Sequence, residues 1–457
     1  METHHHKRSA FSGKLGFVLS AAGASVGLGN IWRFPYLAAK YGGGIFLLIY
    51  IILAFTFGYT MIMAETALGR MTKKSPVGAF SAFGKGPGLS FGGWINAIIP
   101  ILIVPYYSVI GGWVIKYLVE YLRGGGSALA QDGYFSGFIS NGVSVELCFL
   151  AFTLFTLAII FAGVRNGVER VSKCMMPVLA VLSVIIAVYS VTRPGALAGV
   201  KYFLVPNLDN FSWMTVVSAM GQMFYSLSIA MGILITFGSY MKKDVSIEDS
   251  TTNVEIFDTA IAIMAGLMII PAVFAFSGGD PDTLQAGPAL MFITIPKVLD
   301  SMGMGTVVGV LFFVLVLFAA VTSSIALTES AVSTFEDELG WKRHKSTLLI
   351  GVIMVALGSL SALGYGPLGE VTVFGMQFLD LFDFLTNSVM MPIAAIAICL
   401  LVSRVIGVEK IEEEVTQEGG RFRRKAIFNF MIRYLCPLFA AIILVSSVAN
   451  ALGWIKM

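Results

Sequence analysis

Residues 23–30 read Gly-Ala-Ser-Val-Gly-Leu-Gly-Asn and lie in the middle of the first apolar segment, residues 15–40. An apolar helix of that length can cross a bilayer. Three glycines, a serine and an asparagine at mid-membrane depth weaken that helix locally. Backbone groups freed there are tolerated only where protein buries them or where they line a cavity. The stretch therefore predicts a broken transmembrane helix whose break faces a site.

A second interruption divides a later apolar run, residues 213–240. Residues 226–232 read Ser-Leu-Ser-Ile-Ala-Met-Gly and are again small and polar at mid-membrane depth. Two broken helices in corresponding halves of a membrane chain indicate the binding site of a transporter.

The composition indicates a polytopic integral membrane protein with one domain. Of its 457 residues, 57% are hydrophobic and 12% are charged, whereas average usage in proteins is about 45–50% apolar and about 25% charged. The net charge of +3 comes from Lys and Arg clusters in loops and does not indicate nucleic-acid binding. The four cysteines lack metal-ligand spacing and are expected to be small buried hydrophobes.

The chain is predicted to be all-α, with about eleven transmembrane helices. Basic residues concentrate in alternate connectors, so the positive-inside rule places the N-terminus in the cytoplasm and the odd span number places the C-terminus outside. Residues 280–300 are expected to form an ordered extracellular cap, and residues 403–426 a polar, charge-dense loop. The approximate span cores are residues 15–40, 43–68, 92–122, 145–162, 168–191, 213–240, 255–276, 307–335, 347–363, 373–402 and 427–454.

A broken helix offers two kinds of ligand. The end of its first half exposes carbonyls, which suit cations, and the start of its second half exposes N–H groups, which suit a carboxylate. Both fit a zwitterion accompanied by Na⁺. The alternative is that Gly23 and Gly27 only permit close helix packing. Oxygen ligands for a hard cation are supplied near the two breaks by Ser25, Asn30, Ser226 and Ser228.

Other polar residues inside the predicted spans are also candidates. The run Thr322-Ser323-Ser324 suits a cation, or else its hydroxyls donate to the preceding turn. Arg33 with Asp383 would form a polar lid over a central site, or a purely structural ion pair. Residues 23–27 match a Gly-x-Ser-x-Gly hydrolase motif, but that motif needs a histidine partner and no histidine lies in a span.

With residues 27–36, Gly-Leu-Gly-Asn-Ile-Trp-Arg-Phe-Pro-Tyr, the chain resembles the bacterial amino-acid transporter branch of the neurotransmitter:sodium symporter family. Further matches follow in order over nearly the whole chain. They are Gly42-Gly43-Gly44, Glu65 with Gly69-Arg70, Tyr106-Tyr107, Ser226-Leu227-Ser228, Thr322-Ser323-Ser324 and Phe335-Glu336-Asp337-Glu338.

The resemblance implies a five-plus-five inverted repeat in which spans one and six are the broken helices. The single transporter domain, residues 1–457, would comprise a first repeat over residues 1–191 and a second over residues 213–404. Residues 405–457 would form a cytoplasmic loop and the last helix.

The resemblance also implies two Na⁺ sites and one amino-acid site, with no organic cofactor. The first Na⁺ would be held by the substrate carboxylate and by Ser25, Asn30, Ser226 and Asp258. The second would be held by Gly23, Val26, Ala319, Thr322 and Ser323. The substrate would contact Ser25, Gly27, Leu28, Gly29, Ile103, Tyr107, Tyr225, Ser226, Ser228, Met231, Ser323 and Leu327.

Two gates are implied by the same resemblance. The outer gate would be the pair Arg33–Asp383. The inner gate would comprise Arg8 and Asp337, supported by Ser239 and Tyr240. Separately from the two gates, Gly167 and Pro177 would let the cytoplasmic end of the fifth span unwind and admit water to the second Na⁺.

Asp258 departs from the family pattern, because many relatives have an asparagine ligand there. Chloride-dependent members bind an anion nearby, at positions that match Tyr50, Gln222 and Ser226. A fixed carboxylate supplies that negative charge itself. The sequence therefore predicts transport that does not depend on chloride.

These features predict a sodium-coupled symporter that imports neutral hydrophobic L-amino acids, including aromatic ones, by alternating access. Met231 and Ala230 stand where many relatives have Phe and Gly, which favours an adaptable apolar pocket. The alternatives are a transporter of another small zwitterion or an amine, a channel, or an amino-acid sensor without transport. The chain is expected to be a multi-pass protein of the cell's inner (plasma) membrane and not an enzyme, with its oligomeric state open.

Overall fold

The computed structural model describes residues 9–280, 284 and 287–454, and this part of the chain is almost entirely helical. Its membrane-crossing segments are numbered as spans 1–11. Nine of them are single helices that are long and apolar enough to cross a membrane. These are span 2 (Gly44–Thr72), span 3 (Pro87–Leu122), span 4 (Gly142–Phe161), span 5 (Val164–Val191), span 7 (Ile247–Ser277), span 8 (Gly305–Leu339), span 9 (Arg343–Leu363), span 10 (Phe378–Ile406) and span 11 (Lys425–Ala451).

Spans 1 and 6 are broken helices, which confirms the prediction from the sequence. Span 1 consists of Lys14–Ser25 and Gly29–Lys40, two helices that meet at an angle of 55°. Span 6 consists of Trp213–Ser226 and Ile233–Ser239, which residues 227–232 separate. Neither half of span 6 is long enough to cross a bilayer alone. Each set of five spans therefore starts with a broken helix, in agreement with the five-plus-five inverted repeat that the resemblance implies.

The breaks have different backbone causes. In span 1, Val26 leaves the helix with φ −74° and ψ 90°. In span 6, Ser228, Ala230 and Gly232 take positive φ values of 52°, 58° and 70°, a region that disfavours residues with a Cβ. The Ala230 N–H donates to the carboxylate of Glu65 on span 2, at 2.7 Å. A buried acceptor from a neighbouring span thus stabilises a backbone group that the helix no longer pairs.

The broken spans occupy the centre of the bundle. Span 1 packs against spans 7 and 8, and the second half of span 6 packs against span 2. Spans 3 and 8 pack along much of their lengths and are among the most buried helices, whereas span 11 is the least buried of the nine single-helix spans. The interrupted backbone is therefore enclosed by protein, as a bilayer demands.

The connector from residue 280 to residue 300 contains two short helices, Leu290–Thr294 and Ile295–Asp300. The hydroxyl of Tyr117 on span 3 donates to the carbonyl of Phe292, at 2.8 Å. Over its described residues this segment is ordered, as predicted. Its extracellular position stays a prediction, as do the predicted boundaries of the two repeats. The other short connecting helices described before span 10 are Pro76–Ser81, Gly126–Leu129, Tyr134–Ser140, Ala196–Leu204 and the single turn Leu208–Asn210.

Two sequence predictions were wrong near span 10. The span begins at Phe378 rather than near residue 373, because Val373 and Met376 pair across a tight turn. Phe374 and Gly375 in that turn have φ values of 52° and 76° and cannot start a helix.

Residues 403–426 are also not a simple polar loop. Span 10 continues to residue 406, and Val408–Thr416 forms a further helix that buries Val408, Ile411 and Val415. The helix is anchored by an ion pair between Arg70 Nε and Glu414 Oε1, 2.6 Å apart and almost fully buried. The spacing of the three apolar residues makes one face of this charged segment apolar.

The contact between span 2 and span 6 leaves no room for a side chain at Gly69. A Cβ there would lie 1.9 Å from the carbonyl oxygen of Ile235. We expect Gly69→Ala to lower the free energy of unfolding by about 1–3 kcal/mol, the usual effect of overpacking. The measurement is the unfolding temperature of the purified protein in detergent.

The matched control is Gly137→Ala in the short helix Tyr134–Ser140, where a Cβ would have nothing within 4 Å. It should not lower the unfolding temperature and should raise it slightly, because alanine favours a helix by up to about 1 kcal/mol over glycine. Equal unfolding temperatures for the two variants would contradict the tight contact at Gly69.

Candidate functional site

A small cavity lies between the breaks of spans 1 and 6. It draws its walls from both broken helices and from spans 3 and 8. Every residue predicted to contact the substrate lines it except Ser226. The lining residues are Ala24, Ser25, Gly27, Leu28, Gly29, Asn30, Ile103, Tyr107, Tyr225, Ser228, Met231, Ser323 and Leu327.

One end of the cavity presents backbone N–H groups at the start of the second half of span 1. The Leu28 N–H donates to the hydroxyl of Tyr107 at 3.3 Å. A Cβ on Gly29 would lie 2.3 Å from the ring of Tyr225, and a Cβ on Gly27 would lie 3.1 Å from the Tyr107 hydroxyl. The two glycines thus let both tyrosines close against the backbone. This end suits an anionic group.

The other part of the cavity is apolar. Ile103, Met231 and Leu327 are buried and supply an isoleucine, a methionine and a leucine side chain to its wall. The hydroxyl of Ser228, which also lines the cavity, donates to the carbonyl of Ala24 at 2.9 Å and is thereby satisfied within the protein. No carboxylate lines the cavity within the described residues. The arrangement suits a ligand with a carboxylate at one end and an apolar group at the other.

The first group of predicted cation ligands comes together around the buried carboxylate of Asp258. Asn30 Nδ2 donates to Asp258 Oδ1 at 2.8 Å, and Ser226 Oγ donates to Asp258 Oδ2 at 2.8 Å. The Tyr50 hydroxyl donates to Ser226 Oγ at 3.0 Å. The Ser25 hydroxyl donates to the Ala21 carbonyl within its own helix, so its carbonyl is the group left for a ligand.

Asp258 is fully buried, and its hydrogen-bond partners are neutral. A buried carboxylate without a cationic partner is costly unless it binds a cation. The cluster therefore fits Na⁺, whose preferred ligands are oxygens. Gln222 lies beside it and donates from Nε2 to the Gly29 carbonyl at 3.1 Å.

The second group of predicted cation ligands also comes together, between the first half of span 1 and span 8. Ser323 Oγ lies 3.1 Å from the carbonyl oxygen of Gly23 and 3.4 Å from that of Val26. Thr322 Oγ1 lies 3.2 Å from the carbonyl oxygen of Ala319. The Ser323 hydroxyl therefore links span 8 to two of the predicted carbonyls of span 1. The Thr322 hydroxyl back-bonds to Phe318 and Ala319 within its own helix, as the alternative interpretation proposed.

A larger cavity of about 570 Å³ opens on one side of the site. Arg33 and Asp383 both line it, but no ion pair joins them in this conformation. The Arg33 guanidinium lies 5.2 Å from the ring centroid of Tyr225. The Asp383 carboxylate accepts from the Tyr106 hydroxyl at 3.2 Å and from Asn387 Nδ2 at 2.6 Å. The predicted pair Arg33–Asp383 is open here, and its role as a gate stays a prediction.

The opposite side of the site is closed by several contacts. The Tyr240 hydroxyl donates to Glu329 Oε1 at 2.7 Å, and Glu329 forms an ion pair with Arg343. Asp337 Oδ2 accepts from the Ser75 N–H at 2.6 Å. The predicted partner of Asp337, Arg8, lies outside the described residues. Ser239 is buried and donates to the Thr236 carbonyl.

Sequence reasoning missed a polar cluster that ties the segment before span 1 to span 5. The Ser12 N–H donates to Glu169 Oε2 at 2.9 Å, and Lys173 Nζ donates to Glu169 Oε1 at 2.5 Å. Lys242 Nζ, which follows span 6, donates to the Ser12 carbonyl at 3.0 Å. The spacing of Glu169 and Lys173, one helical turn apart beside Gly167, was the available signal.

Span 5 is continuous in this conformation. Val164–Glu169 forms a wide helical turn, and the helix continues through Pro177. A Cβ on Gly167 would lie 2.0 Å from the Ile159 carbonyl oxygen, so glycine is needed where span 5 meets span 4. Unwinding of this end, assisted by Gly167 and Pro177, stays a prediction.

The broken spans, the enclosed central cavity and the one-sided opening define a helical membrane transporter. A family model described as the sodium:neurotransmitter symporter family matches residues 8–125 and 136–454. The chain belongs to the sodium:neurotransmitter symporter family, whose members are secondary transporters and not enzymes. It is therefore a sodium-dependent, multi-pass membrane transporter.

Individual relatives agree with this assignment. An uncharacterized sodium-dependent transporter of Bacillus subtilis, YhdH, is 34% identical over 95% of this chain and 96% of its own. The sodium- and chloride-dependent GABA transporter 2 of Macaca fascicularis is 27% identical over 94% of this chain and 77% of its own. The crystal structure of MhsT in complex with L-phenylalanine matches with a TM-score of 0.86 and 34% identity, covering 96% of this chain and 100% of that chain.

The variant Glu169→Gln tests whether the polar cluster around Glu169 holds the segment that precedes span 1. The change removes the charge that holds Lys173 and the Ser12 N–H. Hydrogen bonds to charged groups contribute about 1.5–3 kcal/mol, so amide hydrogen exchange at residues 9–16 should become about tenfold faster or more.

The control is Glu120→Gln, which breaks the comparable Glu120–Lys116 ion pair on span 3 and should leave exchange at residues 9–16 unchanged. Identical exchange in Glu169→Gln and the unmodified chain would show that the cluster does not hold this segment.

Proposed function

We propose that this protein is a sodium-coupled symporter that imports neutral hydrophobic L-amino acids, including aromatic ones, by alternating access. The observation that carries the proposal is the cavity between the two breaks. It has N–H groups and the Tyr107 hydroxyl at one end and Ile103, Met231 and Leu327 at the other. Binding of L-phenylalanine by the similar protein MhsT supports the same ligand class.

In this proposal the substrate carboxylate meets the N–H groups of Leu28 and Gly29 and the Tyr107 hydroxyl. The side chain of the substrate packs against Met231 and its apolar neighbours. Met231 is unbranched and adaptable, so the wall can fit both aliphatic and aromatic groups. A carboxylate for pairing with an amine is missing from the described cavity lining, which disfavours the alternative of an amine substrate.

Two Na⁺ ions are proposed to bind beside the substrate. The first takes the Ser25 carbonyl, Asn30, Ser226, Asp258 and the substrate carboxylate. Because substrate and ion share this site, each must raise the affinity of the other by the same factor. The second ion takes the carbonyls of Gly23, Val26 and Ala319 and the hydroxyls of Thr322 and Ser323.

The conformation suggests how access alternates. The larger cavity of about 570 Å³, called the vestibule from here on, is lined by Arg33 and Asp383 and is open. The contacts around Ser12, Glu169 and Tyr240 close the other side of the site. We propose that substrate binding draws Arg33 and Asp383 together, and that release follows separation of the Arg8–Asp337 gate and unwinding of span 5. In this proposal the protein lies in the inner (plasma) membrane of the cell. Its open side faces the exterior, and its N-terminus lies in the cytoplasm.

Asp258 is proposed to replace a bound chloride ion. Its carboxylate contacts Ser226 and Tyr50. Chloride-dependent relatives are expected to bind their anion at these positions, so the Asp258 carboxylate would supply the negative charge there. Chloride dependence of the GABA transporter 2 of Macaca fascicularis, whose chain is 27% identical, need not extend to this protein.

Uptake of radiolabelled leucine, phenylalanine, tyrosine and tryptophan into proteoliposomes tests the transport proposal. An inward Na⁺ gradient should drive saturable uptake, and replacement of Na⁺ by K⁺ should reduce it to the level of empty liposomes. The ranking of the four amino acids measures the width of the pocket beside Met231.

Three outcomes would contradict the proposal. Uptake at the same rate with and without Na⁺ would contradict the assignment of both cation sites. Saturable Na⁺-dependent binding without uptake would indicate a sensor, and flux that does not saturate would indicate a channel.

Replacement of chloride by gluconate tests the role of Asp258. Uptake by the unmodified protein should not change, whereas uptake by Asp258→Asn should depend on chloride, because the variant lacks the fixed charge. The matched control is Asp209→Asn, an exposed carboxylate in the connector before span 6, which should behave like the unmodified protein. Chloride stimulation of the unmodified protein would rule out the proposal.

A further inference from the structure

Three sulfur atoms meet where spans 2, 10 and 11 pack together. The Cys399 thiol on span 10 lies 3.8 Å from the Met61 thioether on span 2. Cys436 on span 11 neighbours Cys399, because the helices Met391–Leu400 and Cys436–Ala451 pack against each other. All three residues are almost completely buried. They are distant in sequence, so only the fold brings them together.

The other two cysteines differ from this pair. Cys148 is half-buried and Cys174 is exposed. The expectation that all four cysteines are buried is therefore wrong for Cys174, which lies on the outward face of span 5. These two residues serve as background thiols in any test of the buried pair.

Irregular helical turns adjoin each of the three sulfur residues. The wide turn Ala54–Gly58 lies just before Met61, Leu401–Ile406 just after Cys399, and Met431–Leu435 just before Cys436. The turn in span 11 packs against the other two. Wide turns of this kind often accompany functional sites. The described residues contain seven of them, and three adjoin the sulfur cluster.

The donor set has a clear chemical preference. Thiolate and thioether ligands select soft cations such as Cu⁺, whereas Na⁺ prefers oxygen. A trigonal site with metal–sulfur bonds of about 2.3 Å, a length typical of thiolate ligation, places its sulfurs about 4 Å apart. The distance of 3.8 Å between Cys399 and Met61 already matches that geometry.

We propose that Met61, Cys399 and Cys436 form a binding site for a soft monovalent cation, Cu⁺, that links spans 2, 10 and 11. Binding breaks one S–H bond, releases its proton to water and forms a metal–thiolate bond. The second thiol and the thioether bind as neutral donors. The bound site then has no net charge, as its buried position requires. The proposal does not rest on the transport function.

The test uses the purified full-length chain, reduced and kept without oxygen. His4, His5 and His6 are replaced by Ala because histidine also binds copper, and Cys148→Ser with Cys174→Ser removes the background thiols. The probe is Cu⁺ supplied as its coloured bicinchoninate complex. This background protein should remove one Cu⁺ per chain from the dye, and its unfolding temperature should rise when Cu⁺ is bound.

Three further variants are made in the same background. Cys399→Ser with Cys436→Ser should abolish both effects. Met61→Leu conserves volume and should weaken Cu⁺ binding about tenfold. Met63→Leu, a buried neighbour on the same span, should bind Cu⁺ as the background protein does.

Two results would overturn the proposal. One is a background protein that takes no Cu⁺ from the dye. The other is binding of one Cu⁺ per chain that persists in the double serine variant. A control measurement compares the unfolding temperatures of metal-free Met61→Leu and metal-free Met63→Leu. If the two temperatures are equal, weaker Cu⁺ binding by Met61→Leu is not caused by a folding defect. Because the readout is metal binding, it is independent of whether amino-acid uptake is observed.

Discussion

Backbone polar groups at two helix breaks cannot face lipid, and the rest of the molecule is arranged around that constraint. The break of span 1 presents the Leu28 N–H to the Tyr107 hydroxyl. The break of span 6 presents the Ala230 N–H to the carboxylate of Glu65. Each broken helix is thus held by a side chain from an unbroken span. Groups that remain available at the breaks form the walls of the central cavity.

The same constraint explains why small residues and buried carboxylates occur together. Gly27 and Gly29 let aromatic rings reach the span 1 backbone, and Gly69 lets span 2 reach the second half of span 6. Asp258 is buried among neutral donors, so a bound cation would balance the charge of its ionised form. Close packing places the Leu28 N–H, the apolar wall and the predicted cation ligands around one cavity. Such proximity would couple the proposed ion to the proposed substrate.

The two sides of the cavity differ in what holds them. On one side, Arg33 and Asp383 line an open vestibule without pairing. On the other, hydrogen bonds and ion pairs include Glu169 and Glu329. In the proposed alternating-access cycle, these contacts on the closed side must break before the substrate is released.

The helical membrane class, the approximate positions of the spans and both helix breaks are predictable from sequence, because apolar length and local glycine content act within a single helix. The motif of span 1 covers only the lining residues of that span, and the family resemblance along the rest of the chain predicted the lining residues on spans 3, 6 and 8. The separation of Arg33 from Asp383 and the contact of Glu169 with Ser12 are visible only in the folded chain. They depend on how helices rotate and pack against distant partners, which no local pattern specifies. The helix at residues 408–416 has a local signal in the spacing of its apolar residues, but only the ion pair between Glu414 and Arg70 shows where that helix packs.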